Sequence, residues 1–416
     1  MQIIRQLVKI ILAVTIILTV VIATHSGKLM DKEKDFSKNL LKIIGYIVAT
    51  HWSIVTIYVI FGFIGFLFYK KPRRDYNKAK NVEICIVSKA NNGVKNTLLK
   101  VIKSNAEKFK NYKINIIIDE NSELNKELEN YIKQFDNVKL YVVPKNFKCK
   151  AIAKGRAIEW FIRSEVKEDI WYAFIDDDNL LLDDNFLYEI PYYEQKGYVA
   201  ANSVLYPRLG KSKLTFVADS LRYFDDITIF RFCTGLLGRP YNGFHGELLL
   251  AKGYILKEIT FDRFSLTEDF AFAKELLKKG YKVWQSSSKV SILSPHSIQD
   301  FLKQRNRWYR GLVKDIRKSS IGVKLFAGLR VLDWKIGITG SWAFAPIWFF
   351  LPIPLWLRIF SFIGAIYYYI AYIYGALRLK GKDKIVYILL IPVYSILETL
   401  APHIKTKKDE FIVISK

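Results

Sequence analysis

The stretch "VEICIVSKANNGVKNTLLKVIKSNAEKFKNYKINIIID" (Val82–Asp119) decides the fold, because it places a helix between two strands. Its two ends, 82–88 and 113–119, are nearly continuous apolar runs rich in β-branched residues, which is typical of strands buried on both faces. The segment between them, 93–109, has apolar residues at helical spacing. A strand, a helix and a strand in this order predict parallel pairing within one sheet.

The same alternation continues downstream, where the sequence predicts a helix, a strand, a helix and a strand over 122–135, 138–144, 151–164 and 170–176. Strands that alternate with helices indicate an α/β fold, with a mainly parallel sheet and helices on both of its faces. In such sheets, ligands bind beyond the carboxyl ends of the strands. Asp119 ends the second predicted strand and Asp176 ends the fourth, so we expect both at the same edge.

Apolar segments flank this region. Residues 7–24 and 41–69 each reach the roughly 20 residues that span a bilayer. The first segment could instead be a signal peptide, but no A-x-A site follows it and a second span comes soon after, which favours a retained helix. The basic cluster "YKKPRRDYNKAK" (69–80) places the following domain in the cytoplasm by the positive-inside rule.

The C-terminal region is apolar again. Residues 337–377 are long enough for a helical hairpin broken near Pro352 and Pro354. Residues 385–404 form either a further span or a re-entrant segment, because basic residues flank both ends. We therefore expect four or five spans and three regions: two N-terminal transmembrane helices, a cytoplasmic catalytic domain, and a C-terminal transmembrane or re-entrant region with a basic tail, over 1–70, 71–331 and 332–416.

The composition agrees with a soluble domain joined to membrane helices, since 51% of the 416 residues are hydrophobic while 25% are charged. The formal net charge of +25 indicates anionic partners. Nucleic acid is disfavoured because no nucleic-acid-binding motif is present, which leaves anionic lipid and phosphorylated small molecules. The three cysteines are far apart and form no CxxC, so we expect neither a disulfide framework nor a zinc site.

An acidic cluster follows the fourth predicted strand, in "WYAFIDDDNLLLDDNF" (171–186). Neither GxGxxG nor GxxxxGK[ST] occurs, so a dinucleotide fold and a P-loop are not supported. A nucleotide bound at this edge would need a metal ion and basic side chains to neutralise its phosphates. Mg²⁺ and Mn²⁺ prefer carboxylate oxygen, which Asp176, Asp177 and Asp178 offer. Taken alone, however, such a cluster is equally consistent with a solvated turn.

Two later motifs have both a structural and a functional interpretation. In "SLTEDFAFAKELLKKG", Thr267 can cap a helix, Glu268 and Asp269 fill its first turn, and Gly280 ends it, which explains the acids without any chemistry. In "HSIQDFLKQRNRWYRGL", Ser297 begins a second helix through a capping box with an acid three residues later. That helix carries a glutamine, an arginine and a tryptophan on one face, as would an amphipathic helix at a membrane: Gln304, Arg307 and Trp308.

The order of these motifs favours function. An acid cluster, then TED, then QxxRW, between membrane helices, resembles the membrane-integrated inverting glycosyltransferases of family 2, which include the cellulose and hyaluronan synthases. "VADSLRYFDDITIFRF", "GFHGELLL", "TEDFAFA" and "SPHSIQDFLKQRNRWYRG" are most similar to the Egghead-type β-1,4-mannosyltransferases, which act on a glycolipid. The resemblance extends from about Val82 to Gly311, and more loosely to the terminal "KKDEFIVISK".

On the donor side, the resemblance implies a GT-A fold that binds a nucleotide-sugar, with GDP-mannose favoured over a UDP-sugar. Asp119 would contact the nucleoside, and Lys150 or Lys154 the nearby part of the nucleotide. Asp176 and Asp178 would bind the diphosphate through Mn²⁺ or Mg²⁺.

On the acceptor side, the resemblance implies a lipid or glycolipid and a β-glycosidic product. Asp269 of the TED motif would be the general base, with Glu268 beside it. Gln304 and Arg307 would close over the diphosphate, and Trp308 over the acceptor sugar. His245 and Gly246, within "GFHGELLL", are interpreted as an acceptor-side loop, where glycine allows close backbone approach.

Three alternatives stay open at this point. A processive polysaccharide synthase shares all of these motifs but needs more helices for a channel. A polyprenyl-phosphate glycosyltransferase shares the acids, although QxxRW argues against it. A membrane nucleotide-sugar-binding protein without activity is the third, and the intact acids argue against it.

Overall fold

The computed structural model describes residues 36–341 and 352–405, and within them one eight-stranded sheet organises the chain. The strands lie in the order β3-β2-β1-β4-β7-β6-β8-β5. Their bounds are β1 Val82–Ser88, β2 Lys113–Asp119, β3 Val138–Val143, β4 Trp171–Asp176, β5 Leu180–Leu181, β6 Tyr198–Arg208, β7 Leu249–Lys252 and β8 Lys282–Leu293.

The first half of the sheet is the predicted one. Strands β3, β2, β1 and β4 pair in parallel, and the four predicted strands agree with the observed ones to within one residue at each end. Side chains of β1 alternate between two apolar cores, with Ile84 and Ile86 in one and Cys85 and Val87 in the other. Burial on both faces explains the continuous apolar pattern of this strand.

The second half of the sheet is mixed. Strand β7 pairs antiparallel with both β4 and β6, β6 pairs in parallel with the long β8, and β5 pairs antiparallel with β8. Parallel pairings outnumber antiparallel ones, and helices pack on both faces, so the predicted α/β class is confirmed.

The helices follow in chain order. They are α1 Phe36–Phe68, α2 Lys95–Lys108, α3 Asn125–Tyr131, α4 Ala153–Ser164, α5 Asn185–Lys196, α6 Lys213–Asp225, α7 Gly253–Ile259, α8 Glu268–Lys278, α9 Ile298–Ile316, α10 Ile321–Ile336, α11 Ile338–Ser341, α12 Leu355–Leu377, α13 Asp383–Leu389 and α14 Ile391–Leu400. A π-helix, Asp226–Leu236, continues α6, and short 3-10 turns lie at Asn92–Val94, Ile132–Gln134 and Ala401–His403.

Two of these helices, α1 and α12, are long and apolar enough to cross a membrane. Helix α13 and the segment from α14 to His403 pass the same test together, but they bend by 55° at their junction, which suits a broken span or a re-entrant loop. The predicted span 41–69 is therefore one helix. The predicted span 7–24, part of the predicted hairpin and the terminal "KKDEFIVISK" lie outside the described residues.

Helices α1 and α12 pack directly on one another. The Thr56 hydroxyl donates to the Phe360 carbonyl at 2.8 Å and accepts from the Gly364 N–H at 2.9 Å. A small residue at 364 is required, because a Cβ there would lie 3.0 Å from the Thr56 nitrogen. Small side chains and interhelical hydrogen bonds are typical of helix packing in membranes.

The π-helix packs against α1 at closer range. A Cβ built on Gly65 would lie 2.5 Å from the Phe232 nitrogen and closer still to the Thr228 carbonyl. Backbone atoms cannot move aside as the end of a flexible side chain can, so only glycine fits here. The contact fixes the π-helix whose first residue, Asp226, faces the site described below.

We expect Gly65→Ala to lower the melting temperature of the detergent-purified chain, because overpacking of this kind costs about 1–3 kcal/mol. Gly328→Ala, in α10, is the matched control. Its Cβ would meet no atom closer than 3.9 Å, and removing a helical glycine gains about 0.5–1 kcal/mol. Equal melting temperatures for the two variants would contradict the assigned contact.

Candidate active site

Two clefts meet at the carboxyl edge of the parallel strands. The edge cleft, counted together with the open space at its mouth, has a volume of about 1500 Å³ and lies beside Asp119 and the acid cluster. The inner cavity encloses about 910 Å³, including its mouth, and extends beneath α9. The two clefts share five lining residues, which come from α4, β4, α8 and α9: Lys154, Asp176, Glu268, Gln304 and Arg307.

The acid cluster lines the edge cleft, as predicted, and it is anchored from behind. Ser88 Oγ donates to Asp177 Oδ2 at 2.5 Å. Asp178 is only 3% exposed, and its carboxylate accepts from the Leu293 N–H at 3.3 Å and from Asn179 Nδ2 at 3.2 Å. These bonds fix the orientation of Asp178.

Lys154 joins the two clefts. Its ammonium donates to Asp176 Oδ1 and, at 2.9 Å, to the Gly246 carbonyl. Burial alone would lower the pKa of Lys154, but Asp176 and Glu268 outweigh it and hold the pKa above its usual value. The site therefore keeps a positive charge among its carboxylates.

The far end of the edge cleft holds Asp119, whose carboxylate accepts from the Arg156 guanidinium. Arg156 also donates to the Pro144 carbonyl at 2.7 Å, which fixes the pair to the loop after β3. Lys150, the other predicted nucleotide contact, does not line either cleft. It is exposed, and its N–H donates to Asp262 at 2.6 Å. Of the two predicted lysines, the structure brings only Lys154 to the site.

The TED motif begins α8 as predicted, but the predicted cap is wrong. Thr267 makes no side-chain capping bond, because its hydroxyl donates instead to Asp315 of α9 at 3.4 Å. Helix α9 passes close by, since a Cβ on Gly311 would lie 2.7 Å from Thr267 Oγ1. The contact between the two motif helices has replaced the local cap.

Asp269 is half-buried in the inner cavity, and its Oδ1 accepts from the Phe270 N–H at 2.8 Å. Burial and the neighbouring Glu268 and Glu247 carboxylates raise its pKa to about 7, although Lys154 and the Phe270 N–H oppose the shift. A carboxylate with this pKa is a stronger base than an ordinary aspartate and is about half ionised at neutral pH.

The predicted acceptor loop also lies in this cavity. His245 Nε2 is 3.1 Å from both Asp226 Oδ1 and the Ser203 carbonyl. Burial lowers the pKa of His245, but Asp226 and Glu247 raise it more, so the net shift is upward. A Cβ on Gly246 would lie 2.9 Å from the Lys154 ammonium, so the backbone approaches the site closely.

Several lining residues were missed by the sequence analysis. Glu247 accepts from Arg222 at 2.5 Å, and Arg330 pairs with Asp225 at 3.0 Å. Glu247 directly follows the predicted His-Gly pair. The acidic pair that includes Asp225 interrupts the apolar stretch "YFDDITIF", a signal that could have identified it.

The QxxRW helix begins as predicted, since Ser297 Oγ accepts from the Asp300 N–H at 3.1 Å. Gln304, Arg307 and Trp308 all line the inner cavity. The Trp308 ring also contacts the Arg222 guanidinium at 4.8 Å, a cation–π distance.

A metal would need more than protein ligands. Within residues 36–341 and 352–405, there is no group of three or more histidine, cysteine, aspartate or glutamate side chains that could hold a metal ion. Mg²⁺-type sites often use only one or two carboxylates and complete their coordination with substrate phosphate oxygens. Asp176 and Asp178 line one cleft, and they fit a Mg²⁺-type site in which substrate phosphate oxygens supply the remaining ligands.

The chain matches two family models. Residues 171–397 match "Glycosyl transferase family group 2", and residues 80–240 match "Glycosyl transferase family 2".

Among curated proteins, it is 25% identical over 309 residues to beta-1,4-mannosyltransferase bre-3 of Caenorhabditis elegans, covering 67% of each chain. It is 26% identical over 301 residues to beta-1,4-mannosyltransferase egh of Drosophila melanogaster, covering 64% of each. Among solved structures, it is similar to mannosyltransferase PcManGT from Pyrobaculum calidifontis in complex with GDP-Man and Mn2+. The TM-score is 0.54 and the identity 15%, over 87% of this chain and 99% of that one. The GT-A-like fold and the family resemblance are thereby confirmed.

We expect Asp269→Asn to stabilise the chain at pH 8. The pKa of this acid is higher in the folded than in the unfolded state, so its contribution to stability is lost as the pH rises through about 7. One pKa unit corresponds to about 1.4 kcal/mol, so after solvent screening we expect a gain of about 1–3 kcal/mol. Melting temperatures in detergent should differ at pH 8, and the difference should disappear only as the pH falls to about 4 or below, near the pKa of an unfolded aspartate.

Asp184→Asn is a control for which we expect the opposite change in stability. Burial raises the pKa of Asp184, but the hydrogen bond with Lys78 and the charges of Lys78 and Arg74 together lower it more, so the net shift is downward. Its loss should lower the melting temperature at pH 8. A gain for Asp269→Asn that is the same at both pH values would show that the Asp269 carboxylate is not the cause.

Proposed function

Since the chain belongs to glycosyl transferase family group 2, we propose that it transfers mannose from a nucleotide-sugar to a lipid-linked or glycolipid acceptor at the cytoplasmic face of a membrane. The product is a β-glycoside. The observation that carries the proposal is the junction of the two clefts, because a donor in the edge cleft and an acceptor in the inner cavity would meet there.

The edge cleft suits a nucleoside diphosphate. Asp119, which lines its far end and pairs with Arg156, would contact the nucleoside, and the Lys154 ammonium would approach the diphosphate. Asp176 and Asp178 would hold Mn²⁺ or Mg²⁺ together with the diphosphate oxygens. A bound ion of this type neutralises negative charge on the leaving diphosphate.

The transfer step follows from the positions of the side chains. An acceptor hydroxyl oxygen attacks the anomeric carbon, and the bond from that carbon to the diphosphate oxygen breaks. The bonding electron pair leaves with the diphosphate, near the Arg307 guanidinium, and the hydroxyl proton passes to Asp269. Single displacement inverts the anomeric configuration, so an α-linked donor gives a β-glycoside.

A second, much smaller cavity lies between the inner cavity and the membrane helices. It has room for about one water molecule and shares Asp225, Arg330 and Trp334 with the inner cavity. Its other walls include Ile54 and Val55 of α1, one of the two helices that could cross a membrane. The inner cavity is therefore separated from a membrane helix only by this small space. The basic residues after α1 support a cytoplasmic catalytic domain.

The choice of mannose rests on the relatives, which are named beta-1,4-mannosyltransferases. We expect GDP release from GDP-mannose by the detergent-purified full chain to require both Mn²⁺ and membrane lipid extract, and to stop on addition of EDTA. UDP-glucose and UDP-N-acetylglucosamine are the competing donors. Lipid-independent release from a UDP-sugar, with a lengthening polymer, would establish a processive synthase instead. No release from any donor would refute the proposed transfer.

Asp178→Asn and Asp269→Asn should separate binding from transfer. We expect Asp178→Asn to abolish Mn²⁺-dependent binding of GDP. Asp269→Asn should retain that binding and lose roughly 10²–10⁴-fold in turnover, the range typical of a general base.

Calorimetry with GDP, and nucleotide release with GDP-mannose, measure the two effects. Asp183→Asn is the matched control, since Asp183 lies in the same acidic stretch but accepts from the Asn185 and Lys289 N–H groups and does not line either cleft. Full turnover by Asp269→Asn would refute its role as the base.

A further inference from the structure

Arg305 lies inside the QxxRW segment but is not one of its motif residues, and it faces away from both clefts. Its Nε lies 3.1 Å and 3.2 Å from the two carboxylate oxygens of Glu398. One terminal nitrogen donates to Asp219 Oδ1 at 2.7 Å, and the other donates to Gln304 Oε1 at 2.7 Å. One guanidinium thus joins α6, α9 and α14.

All of these groups are removed from water. Arg305 is 2% exposed, Asp219 is 0% and Glu398 is 5%. Burying charge is costly unless each group is paired and hydrogen-bonded, and breaking one partner of such a group leaves an uncompensated charge. Glu398 also interrupts an apolar segment that could enter a membrane, where ionisable residues are expensive and usually functional.

Arg305 determines how Gln304 faces the clefts. Because the amide oxygen of Gln304 accepts from Arg305, its NH₂ group is left to donate toward the junction that Gln304 lines. A donor in that position favours an anionic diphosphate, whereas a rotated amide would present its oxygen to it. The same guanidinium lies 4.6 Å from the centre of the Trp308 ring, so it contacts two of the three motif residues.

A second contact fixes α9 to the same apolar segment. Asn306 Nδ2 donates to the carbonyls of Ala401 at 2.9 Å and Ile404 at 3.1 Å. Residues 305 and 306 therefore bind the C-terminal segment, while residues 304, 307 and 308 line the inner cavity. The five residues of "QRNRW" are divided between two faces of one helix.

We propose that Glu398 and Asp219 act through Arg305 as positioning residues that orient Gln304 and Trp308 for transfer, so that the bent apolar segment is part of the active site. The inference rests on the proposed function, since it assigns these groups a role in that reaction. They do not contact substrate. They act on the residues that would.

A double-mutant cycle between Glu398→Gln and Gln304→Ala tests the coupling. Each single variant removes an interaction of a charged or catalytic group, so we expect Glu398→Gln to lower kcat/KM by about tenfold and Gln304→Ala by about 100-fold. If Glu398 acts through the orientation of Gln304, the double variant loses clearly less than the product of the two single losses, and any loss beyond that of Gln304→Ala alone is the effect on Trp308. Multiplied losses, about 1,000-fold, would overturn the proposal.

Asp333→Asn is the matched control. Asp333 is another carboxylate among the apolar helices, hydrogen-bonded to His51 at 2.6 Å and Tyr368 at 3.3 Å rather than to Arg305. Its effect should multiply with that of Gln304→Ala. Coupling of equal size for Asp333→Asn and Glu398→Gln would overturn the specific role of Glu398.

GDP binding with Mn²⁺, measured by calorimetry on the same full-length proteins, provides a second readout. Wild-type turnover together with an uncoupled cycle would overturn this inference alone. A wild-type chain that neither turns over a donor nor binds GDP would overturn the proposed function as well. If Glu398→Gln does not fold, Arg305→Lys replaces it in the cycle, because lysine keeps the charge but cannot contact Glu398, Asp219 and Gln304 in one plane.

Discussion

The buried ammonium of Lys154 allows carboxylates from separate elements to occupy one small volume. Asp176 comes from the end of β4 and Glu268 from the start of α8, and both raise the pKa of this lysine against the effect of burial. Its second hydrogen bond, to the Gly246 carbonyl, fixes the loop before β7. Like charges this close repel one another, so the acids could not converge without a compensating cation. The sheet order brings these elements together, and the charge of Lys154 offsets the repulsion between their carboxylates.

The convergence also explains the properties of Asp269. It lies beyond the direct reach of the Lys154 hydrogen bonds, so burial and the neighbouring acids outweigh the stabilisation by the cation. Its carboxylate is therefore less stable as an anion than an ordinary aspartate, and more basic. One cation thus leaves two kinds of acid in one site: Asp176, which is paired with Lys154, and Asp269, whose raised pKa makes it the stronger base.

The sequence predicted those parts of the fold that depend on local pattern. Strands β1 to β4 were recognisable because both of their faces are buried, and the capping of α9 by Ser297 because the bond is made within four residues. The antiparallel pairing of β7 and the π-helix were not predictable, since they depend on contacts distant in the chain, such as that of Gly65 with Phe232. The failed cap at Thr267 has the same cause, because Asp315 competes for its hydroxyl.

The residues of the candidate site also fall into two groups, those that a local motif predicts and those that depend on contacts distant in the chain. Motif order predicted the lining residues on α8 and α9, yet it did not reveal Glu247, Arg222 or Arg330, whose partners come from other elements.

Arg305 shows why a motif is an incomplete description of a helix. Motif residues spaced three and four apart lie on one face of a helix, so the motif says nothing about the residues between them, which lie on other faces. Here they carry a buried guanidinium with two carboxylate partners, so the face turned away from the substrate is as tightly constrained as the face turned toward it. The C-terminal segment thus packs against the face of α9 opposite the inner cavity, and Arg305 and Asn306 hold the two together.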